Sequence, residues 1–162
     1  MSHNRIHSML WKTSAICWAA LIFNLSTSTY GPSFSASLLG RMLAHLHMTL
    51  SPCSLQTVHQ LIRKLAHVGE YAVFSTLIYG SSARQQPFAW RPRRAMGCFL
   101  IAAFYSLTDE FHQSFVPGRT AALGDCGIDS LGGTLGMLNY YLVGLMTHYK
   151  TLRKPVGGFA RL

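Results

Sequence analysis

Thr108-Asp109-Glu110-Phe111-His112-Gln113-Ser114-Phe115-Val116-Pro117-Gly118-Arg119-Thr120 sets two carboxylates, an imidazole and a guanidinium at the end of an otherwise uncharged apolar run. Acidic residues are scarce in this chain, five in all against 14 Lys and Arg, with a formal net charge of +9. The other three, Glu70, Asp125 and Asp129, each lie beside or inside another apolar run. Carboxylates kept for solubility would be scattered over hydrophilic loops. Confined to three apolar neighbourhoods, they read as a site.

The bulk composition suits such a reading. At 162 residues the chain has the length of one domain, and 1–162 is read as a single one. Charged residues make up 12%, about half the roughly 25% usual in soluble domains. Hydrophobic residues make up 49%, and the mean hydropathy is +0.23. Together these point to a membrane protein, with a small soluble helical bundle as the alternative. The basic residues flank apolar segments and form no stripe with interleaved aromatics, so nucleic acid is not an expected partner. Cys17, Cys53, Cys98 and Cys126 form no CxxC pair and no zinc-like spacing with histidine, and no disulfide framework is implied.

Working outward from the motif, residues 95–115 form one apolar span that ends in it, and 121–146 form the next, rich in glycine. Gly132 and Gly136 in the latter are a small-xxx-small pair, which lets another helix come close. Upstream, 65–82 is a further span with His67 and Glu70 in its first two turns. Residues 13–25, preceded by Arg5 and Lys12, read as a first span; no small-residue cleavage site follows to make it a signal peptide. Between them, Leu38, Leu39, Met42, Leu43 and Leu46 recur at helical spacing. Pro52 and Ser54 open a second periodic run through Leu55, Val58, Leu61 and Ile62. Both read as amphipathic helices lying at a membrane surface, with His45, His47 and His59 as interfacial side chains. The expected fold is all-α: a polytopic membrane bundle of about four spans with one or two interfacial helices.

Lysine and arginine orient it. Four spans place the N-terminus, the 83–94 loop and the basic tail at 150–162 on one side, with ten of the 14 cations. The other side holds Arg41, Arg63, Lys64 and Arg119. The positive-inside rule then puts both termini in the cytoplasm, in a plasma (inner) membrane, and the motif faces outward. At 1.5 Å rise per residue, His67 and Glu70 lie about 5 and 9 Å below the outer surface, and Asp125 and Asp129 about 6 and 12 Å. Asp109 and Glu110 fall in the outer third of their own helix. Three countings give one layer, and the spacings His67/Glu70, Asp109/His112 and Asp125/Asp129 each share a helix face.

Each group also has a plain structural account. Asp125 and Asp129 suit the positive end of a helix, Glu70 and His67 could pair with Arg63 or Lys64, and Asp109 with Arg119 could pin the turn. Jointly these accounts leave unexplained why all five carboxylates share one costly layer, and ionisable residues inside a membrane are functional by default.

Three blocks carry a resemblance. Arg63-Lys64-Leu65-Ala66-His67-x-x-Glu70-Tyr71, Asp109-Glu110-Phe111-His112-Gln113-x-Phe115-x-Pro117-Gly118-Arg119 and Asp125-x-x-x-Asp129-x-x-Gly132-x-x-x-Gly136 resemble, in order and spacing, the VanZ-like family of small bacterial membrane proteins. The match covers about residues 20–145. The resemblance implies a multi-helix inner-membrane protein, and the family takes its name from a member linked to teicoplanin resistance.

Two functional readings follow. In one, the layer acts on a lipid-linked or anionic cell-envelope substrate, its catalytic set being His67, Glu70, Asp109, Glu110, His112, Asp125 and Asp129. His67 or His112 would serve as acid and base. Arg119 would clamp a phosphate or carboxylate, with Gln113 and Lys64 as further binding groups. Two imidazoles among carboxylates could also hold a divalent metal. In the other, a non-catalytic binding or transporter-like module uses the same charges, and the limiting case is a purely structural network. What separates them is whether the charged layer opens to a cavity or is closed by its own hydrogen bonds.

Overall fold

Helix α3, Pro52–Ser81, is the spine of the chain. Ser51 caps its N-terminus, accepting from the Ser54 amide at 3.2 Å, and Pro52 takes the first helical position, where its missing N–H costs nothing. The sequence suggested two elements here, an amphipathic run from Pro52 and a span over 65–82. The structure makes them one helix of 30 residues. Within the helix no proline follows Pro52, and a Cβ on Gly69 would meet nothing within 4 Å, so nothing ends the first part before the second begins.

The computed structural model describes residues 3–82, 90–117, 119 and 122–152. Every regular element among them is helical: α1 His3–Leu25, a short 3-10 turn Ser28–Tyr30, α2 Pro32–His45, α3, α4 Pro92–Gln113 and α5 Leu123–Leu152. α1, α4 and α5 run past the apolar windows 13–25, 95–115 and 121–146 at one or both ends, because their basic or polar flanks stay helical. Proline again opens α2 and α4. α2 closes with His47 in the left-handed region at φ 54°. The expected Gly118 turn, most of the 83–94 loop and the tail beyond Leu152 lie outside the described residues.

α3 and α5 run parallel and make the most extensive contact in the fold. A Cβ on Gly132 would strike the Val68 backbone, and one on Gly136 the Ala72 backbone, so the small-xxx-small pair is the contact itself. Thr76 Oγ1 adds a bond to the Gly136 carbonyl at 3.0 Å. α4 packs antiparallel to α5, with Ala102 near Gly133 and Ser106 beside Asp129. α1 packs antiparallel to α3, with Trp11 over Gly80 and the Trp18 indole donating to the Glu70 carbonyl at 2.9 Å.

Along the axis the interior changes character. Tyr79, Ala95, Cys98 and Met137 fill one end, and Ile22, Tyr71, Phe74 and Ala102 the middle. Ser26, Ser106, Asp109, Glu110, Gln113 and Asp129 are buried at the other end. The outside is the reverse. On α4, Met96, Leu100, Phe104, Leu107 and Phe111 are exposed at spacings of three and four, while Ala95, Cys98, Ala102, Ser106, Asp109 and Gln113 form the buried face. On α5, Leu131, Leu135, Leu138, Leu142 and Met146 repeat the pattern. Among the described residues α1 alone is long and apolar enough by itself to cross a membrane, over Ile6–Leu25 at hydropathy 1.2. α3, α4 and α5 have the length but carry the ionisable residues.

Candidate functional site

Two buried carboxylates anchor the polar end. Asp129, 1% exposed, accepts from Ser106 Oγ at 2.6 Å on Oδ2 and faces His67 Nδ1 at 3.1 Å on Oδ1. The contact is also an ion pair whenever the imidazole carries its second proton. Asp109, on the adjoining turn of α4, accepts on Oδ2 from Ser26 Oγ and from Gln113 Nε2, both at 2.8 Å. Gln113 also donates to Ser26 Oγ at 3.3 Å, closing a three-membered network between the end of α1 and α4. The second oxygen of Asp109 is buried without a partner. Glu110 ties down the chain leading into α5, accepting from the Ala122 amide at 2.8 Å.

Arg119 does not pair with Asp109. Its guanidinium donates to the carbonyl of Leu25, the last residue of α1, and more weakly to Tyr30 at 3.4 Å. A helix leaves its last carbonyls without intrahelical donors, and Arg119 satisfies one of them. Burial pulls the Arg119 pKa down, and the like charge of Arg63 adds to this, while Asp109, Glu70 and Glu110 oppose it. Its Nε is buried with no partner. His112 lies on another face of α4, its ring 4.2 Å from that of Phe23, so Asp109 pairs with Gln113 one residue further on.

The remaining charged groups open onto two adjoining pockets. One, of about 200 Å³, lies where α1, α2 and α3 meet; Arg63, His67, Glu70 and Arg119 line it, with Tyr30 and Phe34 among its apolar walls. The other, of about 240 Å³, lies between α3 and α5 and is lined by Gln60, Arg63, Lys64, His67, Asp125 and Ile128. Arg63 and His67 belong to both. This follows from spacing: 60, 63, 67 and 70 repeat at three and four and make one stripe on α3.

The layer expected from sequence is thus brought together but divided in two. Asp129, Glu110, Gln113 and one oxygen of Asp109 are engaged by hydrogen bonds within the protein. His67, Glu70, Asp125, Lys64 and Arg119 face space. His67 joins the halves: Asp129 occupies Nδ1, which leaves Nε2 for the pockets, so the imidazole can exchange a proton with an occupant while the carboxylate orients it. Among the described residues no three His, Cys, Asp or Glu side chains come together as a metal ion would need. The donors present do not fit a metal centre, and no step is assigned to one.

Sequence reasoning missed Ser26 and Ser106, the donors to the two buried aspartates, and gave Arg63 only a structural part. Ser106 was within reach, because it continues the small-residue stripe Ala95, Cys98, Ala102 that leads to Asp109.

Fold and site together define a class of protein: an all-helical bundle joined through glycine, with ionisable side chains gathered inside and large apolar ones turned outward. The chain belongs to the VanZ/LLP1 family, whose model matches residues 12–144. That is the family the three motif blocks resemble, and the matched stretch includes every residue of the layer. No curated protein and no solved structure gives a match to the chain.

Proposed function

We propose that this VanZ/LLP1 protein is an integral membrane protein that binds an anionic cell-envelope ligand in the pocket formed by α1, α2 and α3. Four helices, α1, α3, α4 and α5, cross the bilayer, and α2 lies at its outer surface. The inverted faces of α4 and α5 support the spans, because Leu, Met and Phe stripes outside a polar interior suit lipid and are costly in water. At the opposite end Tyr79, Trp90, Tyr140 and Tyr141 form a ring cluster, with Arg94 over Tyr79 at 5.5 Å. That matches the aromatic belt and positive charge of a cytoplasmic interface. Both termini are then cytoplasmic, and the pockets face the envelope. A glycopeptide-resistance role is the envelope phenotype consistent with family membership.

One observation carries the ligand: Arg63 and Arg119 share a half-buried pocket with a single lining carboxylate, Glu70. Two guanidinium groups lining one pocket, their like charges repelling, favour an anion between them. A purely structural network would have paired these charges as it paired both oxygens of Asp129. Native mass spectrometry of detergent-extracted protein should show a stoichiometric anionic lipid adduct. It should be lost in the Arg63→Gln, Arg119→Lys double variant, with helicity and monodispersity retained. An adduct that survives the double substitution refutes the assignment.

A further inference from the structure

We infer that the ligand is an amphiphile carrying two linked phosphates, a diphosphate on an apolar chain, seated across both pockets at once. This rests on the function proposed above and names its substrate class. The pockets are not independent sites, since the Arg63 guanidinium and the His67 imidazole line both. Each pocket then brings one further cation of its own, Arg119 on the α1 side and Lys64 on the α5 side. A single phosphate can use one pocket and the shared pair. Two phosphates joined through one bridging oxygen can use both, with Arg63 reaching each and His67 Nε2 at the junction. His67 is held for this by Asp129, itself fixed by Ser106. Glu70 and Asp125, one in each pocket, leave each with two cations against one carboxylate. Because Arg63 is shared, the two pockets together hold three cations against two carboxylates, a net excess of one that a proton on His67 raises to two.

The apolar part has a place as well. The α1-side pocket is walled by Leu25, Tyr30 and Phe34. From its rim, Phe34, Leu38 and Met42 are exposed at intervals of four on α2, a continuous apolar stripe leading away from the cations. The α5-side pocket has mainly polar walls, Ile128 aside. The occupant therefore enters in one sense, with its chain along α2, the nearer phosphate at Arg119 and the farther one at Lys64.

The test is binding to the purified full chain in nanodiscs of zwitterionic lipid, with farnesyl diphosphate, farnesyl monophosphate, inorganic pyrophosphate and inorganic phosphate as probes. Farnesyl diphosphate should bind about tenfold or more tighter than the monophosphate, the factor that one further hydrogen bond between charged groups supplies. Lys64 is exposed, so Lys64→Gln should leave the fold intact while collapsing that preference for two phosphates. Leu38→Ser with Met42→Ser should narrow the gap between farnesyl diphosphate and pyrophosphate. Equal affinity for mono- and diphosphate, or a preference that survives Lys64→Gln, overturns the two-pocket assignment while leaving an anion site in place. Failure of all four probes to bind overturns the anion site itself.

Discussion

Replacing Gly136 with alanine tests the contact that positions the whole polar end. A Cβ on Gly136 runs into the Ala72 carbonyl oxygen and comes to 2.7 Å from its carbon and 2.8 Å from its Cα. Ordinary contact begins at 3.4 Å. Backbone atoms cannot swing aside as the tip of a side chain can, so α3 and α5 must separate by at least about 0.7 Å. The Thr76 bond to Gly136, now 3.0 Å, and the His67–Asp129 contact, now 3.1 Å, would both stretch beyond useful hydrogen-bond length. Overpacking costs about 1–3 kcal/mol, and a lost hydrogen bond adds about 1 kcal/mol. The expected loss is about 2–4 kcal/mol, read by reversible unfolding in SDS-containing mixed micelles. Gly97→Ala is the control, because nothing lies within 4 Å of a Cβ there. It should be neutral or stabilise the helix by up to about 1 kcal/mol. If Gly136→Ala unfolds within about 0.5 kcal/mol of the unsubstituted chain, the close α3–α5 packing is wrong, and so is the depth assigned to Asp129.

Ser106→Ala removes the 2.6 Å donor to Asp129 Oδ2 inside the bundle. It should cost about 1–3 kcal/mol in the same titration; an unchanged midpoint would show that this oxygen does not depend on Ser106. His59, 2.8 Å from Ser35 on α2, has its pKa held below 6.5 by partial burial and then by the charge of Arg63. Its share in docking α2 is therefore complete above pH 6.5 and is lost as the pH falls through the lower folded value. Amide exchange in α2, corrected for its intrinsic pH dependence, should be faster at about pH 5.5 than at about pH 7.5, and equal protection would refute this. A reporter fused after Lys154 should behave as cytoplasmic and one inserted at Ser51 as extracytoplasmic, since ten of 14 cations lie on the assigned inner side. The reverse pattern would turn both pockets towards the cytoplasm.

Much of this was legible in the chain because it rests on periodicity. Apolar spacing located all five helices, and Gly132 and Gly136 announced a close partner. The grouping of His67 with Asp129 followed from counting helical rise. What stayed hidden depends on rotation and on backbone atoms. Spacing alone put His112 on a face with Asp109. The rotation of α4 instead turns His112 to Phe23, and Gln113 becomes the partner of Asp109. The nearest carboxylate seemed the natural mate for Arg119. Its guanidinium goes to the backbone carbonyls of Leu25 and Tyr30, groups that carry no sequence signal. Nor did the pattern reveal that α3 is continuous, because an amphipathic surface helix and a span differ in hydropathy while sharing one period.

That continuity has a mechanical consequence. A rod of 30 residues is about 45 Å long, against a hydrocarbon layer about 30 Å thick. Set in a bilayer, α3 projects beyond the oily layer or leans within it. Gln60, Arg63, Lys64 and His67 ride on the stretch where surplus length meets the headgroups. Longer lipid chains would draw that stretch inward and strip water from its cations, and shorter ones would leave it wetter. On the function proposed above, the grip of the pockets would then vary with the thickness of the surrounding membrane, with α3 as its gauge.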